Sequence, residues 1–313
     1  MLAYTVRRIL TTIPVMLVVA FFVFSLLYIA PGDPAAIIAG DQATPADVER
    51  IRASLGLDQP FMVRFGEWLW QILHGNLGTS IFTNLPVAHM IAQRIEPTLS
   101  LMVLTIIFSI LIAIPLGVVA AWKHGSWIDR GVMLTAVFGF STPVFVVGYL
   151  LAYIFALQLD WLPVQGFTPI SDGLWPFLRT LILPTIALGL IYVALLARIT
   201  RATMLDVLNQ DYVRTAKAKG VGQRAILFVH ALKNAAVPII TIVGNGVALL
   251  IGGAVVTESV FAIPGLGRLT VDAILRRDYP VIQGVVLLFS LTYVLVNLAV
   301  DLLYTVFDPR IRY

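Results

Sequence analysis

The chain has 313 residues, 59% hydrophobic and only 12% charged, with no cysteine, a formal charge of +4 and a mean hydropathy of +0.93. Soluble domains carry about 45–50% apolar and about 25% charged residues, so this composition is that of a membrane protein. Its apolar blocks are long enough to predict one polytopic bundle rather than two soluble domains, and the lack of cysteine excludes disulfides, a thiol nucleophile and thiolate metal sites.

A span needs about 20 mainly apolar residues. The first such stretch, residues 9–30, follows Arg7 and Arg8 in the manner of a secretory signal. Its long apolar run leads into Pro31-Gly32-Asp33-Pro34 instead of a small-residue cleavage site, which predicts an uncleaved anchor helix over 1–30. Residues 31–97 are too polar to cross the membrane and form an extracytoplasmic helical insertion. Thr44, Pro45 and Asp47 read as an N-cap, a first-turn proline and a residue reaching back to the cap. Val48, Ile51 and Leu55 follow at helical spacing, and Gly56 is placed as a left-handed stop. A second helix starts at Pro60, and Phe61, Phe65, Trp68, Leu69 and Ile72 make an aromatic stripe that ends at Gly75. Such a stripe suits a helix lying on the outer leaflet. It also suits a contact surface for an extracytoplasmic partner, or a cover over a pore mouth.

Five further spans are expected near 99–122, 132–158, 180–197, 236–256 and 281–307, giving six in all and a five-span core over 98–307. Pro14, Pro115, Pro143 and Pro184 lie within spans and Pro238 opens the fifth, so kinks are expected there. Between the fourth and fifth spans, residues 198–235 predict two short helices around a glycine turn. Asp211 is the expected N-cap, Tyr212 to Lys219 the first helix, with Lys217 and Lys219 in its last turn, and Gly220 its left-handed stop. A compact projecting element of this kind suits docking better than scattered topology charges would. Asn245 is a mid-span amide, either helix-to-helix glue or a pore contact. Glu258, ahead of Pro264-Gly265-Leu266-Gly267, makes that carboxylate with Pro264, Gly265 and Gly267 the candidate outer gate or pore mouth.

The charges orient the chain. With the N-terminus and the 308–313 tail cytoplasmic, inner segments hold 13 of the 21 lysines and arginines, and the balance is +8 inside against −4 outside. That is the positive-inside pattern, and it removes the motive for a nucleic-acid reading of the basic excess. No Gly-x-x-x-x-Gly-Lys-Ser/Thr phosphate cradle, Gly-x-Ser-x-Gly elbow or His-Glu-x-x-His zinc motif occurs. No catalytic or metal site is therefore expected, and ATP hydrolysis would have to come from partners. A self-contained channel or ion-coupled carrier stays as the alternative, although the spans hold few ionisable groups.

The inner loop resembles that of the inner-membrane permease subunits of binding-protein-dependent ABC importers, matching their motif at Ala216, Gly220 and Leu232. It departs at Arg214, Thr215, His230 and Lys233, and the run Asp211-Tyr212-Val213-Arg214-Thr215-Ala216-Lys217-Ala218-Lys219-Gly220 is similar to the version in the dipeptide, oligopeptide, glutathione and nickel branch. Pro31-Gly32-Asp33-Pro34, Leu55-Gly56-Leu57-Asp58-Gln59-Pro60, Pro264-Gly265-Leu266-Gly267, Arg277-Asp278-Tyr279-Pro280 and Asp308-Pro309-Arg310-Ile311-Arg312 support the same branch, and its first permease subunit. The resemblance implies an all-α polytopic membrane protein with the type I ABC importer permease fold in a bacterial inner membrane. It implies a second related permease, two cytoplasmic ATPase subunits that hold ATP and Mg, and an extracytoplasmic solute-binding protein as partners, with the inner loop as coupling element. The implied cargo is a di- or oligopeptide or glutathione, with nickel as the alternative.

Overall fold

A computed structural model describes residues 2–29, 34–39, 43–54 and 56–307. The Pro31-Gly32-Asp33 part of the first motif, Leu55 and the 308–313 tail lie outside these residues, as does the side chain of Asp47. Apart from one isolated antiparallel bridge, Thr79 to Pro86, the regular elements among the described residues are helices. They are α1 Leu2–Ile29, α2 Pro34–Ala39, α3 Pro45–Ser54, α4 Phe61–Leu73, α5 Val87–Trp122, α6 Trp127–Ser141 and α7 Val144–Leu151, which runs on as a π-helix, Ala152–Gln158. Then come α8 Leu174–Leu208, α9 Asp211–Ala218, α10 Gln223–Ala225, a π-helical stretch Ile226–Ala231, α11 Leu232–Asn234, α12 Ala236–Val260, α13 Leu266–Arg276 and α14 Tyr279–Phe307.

Helices α1, α5, α8, α12 and α14 are long and apolar enough to cross a membrane, and α6 with α7 makes a sixth if that pair counts as one span. The single helix expected over 132–158 is in fact two, bent by 101°. Proline disfavours the helical conformation at the residue before it, and Thr142 accordingly turns extended, with ψ at 124°, while Pro143 caps α7. The freed end of α6 is not left bare: the Thr142 amide and hydroxyl both donate to the Phe138 carbonyl, at 3.1 and 2.8 Å. Pro14, Pro97, Pro115 and Pro184 sit inside continuous helices. Two spans also exceed their expected length, α5 with 36 residues and α8 with 35. At about 1.5 Å per residue each is over 50 Å long, well beyond a hydrocarbon core of about 30 Å, so both project from the bilayer.

The chain divides into two compact units. One holds Ile95–Arg268 and the chain from Leu295 on. Here α8 packs against α6, α7 and α12. Leu101, Leu181, Leu183, Leu250, Phe261 and Ile263 form one buried cluster. Ala113, Val118, Leu196, Met204, Leu227 and Ile239 form a second. The α8–α12 crossing is tight because Gly246 faces the Tyr192 ring: a Cβ there would lie 2.1 Å from Tyr192 Cε2. The Tyr192 hydroxyl donates to the carbonyls of Val243 and Ile242 at 2.9 and 3.1 Å, so the one polar atom of this ring is satisfied inside the bundle.

The other unit holds Leu2–Arg94 and Leu269–Val294. α3 starts at Pro45, Gly56 takes φ +62°, and α4 runs from Phe61 to a left-handed Gly75 at φ +79°, as the sequence spacing implies. The α4 stripe packs on α1, where Phe61 meets Phe21, Phe24 and Tyr28 at centroid distances of 5.0–5.5 Å and Phe65 meets Phe21 and Phe24 at 5.6 Å. The loop before α5 folds back on itself, with Ser80 amide to Leu85 carbonyl at 2.9 Å and Val87 amide to Gly78 carbonyl at 3.0 Å.

The glycines of α12 give a contrast pair. Gly246→Ala forces the Tyr192 ring to move and is expected to cost about 1–3 kcal/mol, the usual range for overpacking, whereas Gly252→Ala meets nothing within 4 Å and should be neutral. Thermal unfolding of the two variants in the same detergent checks this; equal melting temperatures would contradict the close crossing.

Candidate functional site

The element between α8 and α12 is built from an anchored face and a bare one. Val213, Ile226, Leu227 and Ala231 are buried, and the last two join the cluster formed by α5 and α8. Tyr212, Phe228 and Val229 are exposed at 40%, 47% and 60%, an unusual share of bulky apolar surface on a basic loop. Asp211 is the first helical residue and not the cap; Gln210 holds that position in an extended conformation with no side-chain bond. As a first-turn acid Asp211 faces the positive end of the helix dipole, and it pairs with Arg214 at 3.4 Å. Lys217 lies in the last turn of α9, and Lys219, in the C-cap position, donates its amide to the Thr215 carbonyl. Gly220 follows with φ +78°, and the Gly220 and Val221 amides return to the Lys217 and Ala216 carbonyls at 3.0 and 3.1 Å. Ala216 is half-buried, while Thr215 and Ala218 are exposed. The second helix, expected over 223–234, is continuous but carries a π-helical register through Ile226–Ala231. Its end is tied to α9 by Asn234 Nδ2, which donates to the Tyr212 hydroxyl and the His230 carbonyl at 2.9 Å.

Sequence reasoning missed a buried ion pair beside this element. Asp129, only 3% exposed, accepts both Nε and a terminal nitrogen of Arg201, the latter at 2.7 Å. It also accepts the Gly125 amide at 3.0 Å and lies 3.2 Å from His124 Nδ1, while its own amide reaches the N-cap Ser126 hydroxyl at 3.4 Å. The start of α6 is thereby fixed to α8 by a planar two-point contact. The available signal was the Ser126-x-x-Asp129 capping pattern. The partner, 72 residues away, had no sequence signature.

At the other end of α12, Glu258 is fully buried. One carboxylate oxygen accepts the Thr98 hydroxyl at 2.5 Å, and the other accepts the Arg268 amide at 2.9 Å. The Thr98 hydroxyl in turn accepts the Leu266 amide at 2.8 Å, and the Glu258 carbonyl accepts the Ile263 amide at 2.9 Å. The loop is wrapped onto the carboxylate, and this explains its glycines. A Cβ on Gly265 would stand 2.2 Å from Glu258 Oε1, and one on Gly267 would stand 2.6 Å from the Val255 Cα. Pro264 is exposed at the tip. Glu258, Gly265 and Gly267 thus come together, while Asn245 lies apart on the exposed side of α12 and makes no side-chain hydrogen bond among the described residues. A second loop is held the same way: buried Asp278 accepts the Ser80 hydroxyl, and the Ile81 amide at 3.2 Å.

Phe61, Phe65, Trp68 and Ile72, the candidate contact stripe, are half-buried and pack α4 against α1. The aromatic rings pair with one another because α1 offers Phe21, Phe24 and Tyr28 at matching height. The face of α4 that remains exposed carries Met62, Val63, Trp70 and Leu73 instead.

Helices of membrane-spanning length, with a basic two-helix element and a carboxylate-braced loop between them, define a multi-pass membrane protein. The chain belongs to the family of binding-protein-dependent transport system inner membrane components, whose model matches residues 113–313, and the corresponding N-terminal model matches residues 1–102. It is 54% identical over 99% of both chains to a probable peptide ABC transporter permease of Sinorhizobium fredii. It is 42% identical, over the whole of both chains, to a dipeptide transport system permease of Alkalihalophilus pseudofirmus. It is 44% identical, again over the full lengths, to a glutathione transport system permease of Salmonella choleraesuis. Among solved structures, the inward-facing MetNI methionine ABC transporter shares the fold, with a TM-score of 0.58 at 15% identity over 70% of this chain and 96% of that one.

Two substitutions read the outer brace. Gly265→Ala is expected to displace the loop and cut transport by at least about tenfold. Glu258→Gln keeps the shape and one acceptor, so it should retain a measurable fraction, the loss reflecting one charge-assisted bond of about 1.5–3 kcal/mol. Uptake equal to wild type in Gly265→Ala would show that the wrapped loop is dispensable. At the α6–α8 ion pair, Arg201→Ala strands a buried carboxylate and should destabilise the protein by about 3–5 kcal/mol, read as a drop in the detergent melting temperature.

Proposed function

We propose that this chain forms half of the translocation pathway of an ATP-driven peptide importer in the bacterial inner membrane, with both termini cytoplasmic. Its partners in this reading are a second, related permease, two cytoplasmic ATPase subunits that carry ATP and Mg, and an extracytoplasmic solute-binding protein. This chain holds no nucleotide. The observation that carries the reading is the inner element: one face of it is locked into α5 and α8 through Leu227 and Ala231, and the other presents Tyr212, Phe228 and Val229. Exposed apolar patches rimmed by charge are typical of protein interfaces. Closure of the ATPases on ATP pulls the element, and its rigid seat passes the displacement to the bundle. The cargo class rests on the relatives named for peptide, dipeptide and glutathione transport. Glu258, Pro264, Gly265 and Gly267 serve as the outer mouth, and Asn245 faces the pathway, since an unpaired amide against lipid costs several kcal/mol.

Co-purification in mild detergent tests the assembly: two ATPases and a second permease should accompany the tagged chain with ATPase activity in the eluate, and recovery of the chain alone would overturn the reading. Coupling is tested by Gly220→Val. The left-handed turn admits a β-branched residue only with strain of about 1–3 kcal/mol, so ATP-driven uptake should fall at least about tenfold while the complex still inserts and assembles. Gly222→Ala, which has no positive φ and nothing within 4 Å, is the neutral control. Wild-type uptake by Gly220→Val would remove the coupling role.

A further inference from the structure

Helices α6 and α8 enclose a groove of about 190 Å³ beside the break between α6 and α7. Its walls are apolar, from Met133, Val137, Phe140 and Leu195 among others, and its polar groups are the Ser141 hydroxyl and the Arg198 guanidinium. No carboxylate lines it, and Arg198 makes no ion pair among the described residues. The guanidinium carbon stands 6.0 Å from the centre of the Phe140 ring. Phe140 is eleven residues beyond Asp129 on α6, about 16 Å at 1.5 Å per residue.

Arg198 and Arg201 begin within one turn of each other on α8 and diverge. Arg201 reaches the start of α6 at Asp129, whereas Arg198 reaches the end of α6, next to the broken backbone. An arginine that served only to set topology would extend toward the charged end, as Arg201 does. An ionisable group turned into an apolar span instead faces a bundle interior or a water-filled cavity, and such positions mark solute paths. The groove is smaller than the roughly 300–1,000 Å³ of a site for a whole small molecule. It fits one charged terminus and the group beside it.

We propose that Arg198 is an anion contact of the translocation pathway and takes the free carboxylate of the passing solute, with the neighbouring apolar group against Phe140 and Leu195. The assignment rests on the peptide-import reading above, because an unmodified peptide always ends in a carboxylate. Guanidinium suits that group through paired, coplanar hydrogen bonds, and a single contact leaves the solute free to move on.

The chain has no cysteine, so Ser141→Cys puts one reactive thiol in the groove. In the assembled transporter, in vesicles of phosphatidylethanolamine and phosphatidylglycerol, it is labelled with anionic sulfonatoethyl or cationic trimethylammonioethyl methanethiosulfonate. Both reagents should react, the anionic one preferentially, and Arg198→Gln should lower the anionic-to-cationic rate ratio at least about threefold. Trialanine should slow labelling more than trialanine amide does, and Arg198→Gln should abolish that difference. A thiol inert to both reagents would place the groove against lipid and overturn the proposal. So would a ratio that Arg198→Gln leaves unchanged. If trialanine gives no protection while replacing phosphatidylglycerol by phosphatidylcholine changes the ratio, a lipid phosphate is the anion and the solute assignment falls. Leu195→Cys repeats the test should Ser141→Cys disturb assembly. Failure of the peptide reading itself shows differently, as absence of peptide uptake by the wild-type complex, while the labelling ratio still reports the charge at Arg198.

Discussion

Hydrocarbon offers a peptide group no hydrogen-bond partner, and each unmatched group there costs several kcal/mol. Long helices meet that constraint by themselves. The informative places are those where the backbone leaves the helix, since every freed amide or carbonyl must then find a side chain. After Phe138 the answer is local, with Thr142 supplying both its amide and its hydroxyl to one carbonyl. After Val260 it is not: two side chains, Thr98 and Glu258, receive the amides of Leu266 and Arg268. The ladder is interrupted at the break in the bent span and at the end of α12, and at both places polar side chains replace it.

Buried charge is used in two ways. Glu258 and Asp278, each within its own unit, are buried and accept backbone amides, so each carboxylate acts as a knot that holds a loop. Asp129 is instead buried against a guanidinium, and the pair ties α6 to α8, the second of which also packs against the two-helix element. Removing either kind of acceptor leaves unmatched donors, but only removal of the ion-paired one leaves a lone charge. One face of the element between α8 and α12 is packed by Leu227 and Ala231, while Tyr212, Phe228 and Val229 stay exposed on it.

Much of this was legible in the sequence because its signals are local. Gly56, Gly75 and Gly220 each mark a helix end by the conformation only glycine takes easily, and all three are left-handed here. Span positions followed from runs of apolar residues, apart from the 132–158 segment, where a run of the right length hid a break at Pro143. Composition cannot distinguish a kink from a 101° turn, because the direction the chain takes after a proline depends on whether neighbouring helices accept it. Gly148, whose Cβ would lie 3.1 Å from Val260, shows how closely α7 settles on α12 after the turn. The pairs Asp129–Arg201, Thr98–Glu258 and Ser80–Asp278 were out of reach, since their partners are 72, 160 and 198 residues apart. The α4 stripe was visible as a stripe, but which surface it covers depends on α1, and a single helix face carries no address.

The brace around Glu258 also bears on how the chain is made. A carboxylate near the end of a membrane helix is a burden during insertion until its acceptors are matched. Thr98 is synthesised long before Glu258, and the Arg268 amide follows only ten residues after it. The charge therefore waits for very little new chain: as soon as the short loop has emerged it can fold back, and the helix already in the membrane supplies the remaining donor. A longer loop, or one with side chains at Gly265 and Gly267, would prolong the interval in which α12 carries an unanswered charge, so the two glycines shorten a vulnerable moment in biogenesis as well as shaping the finished loop.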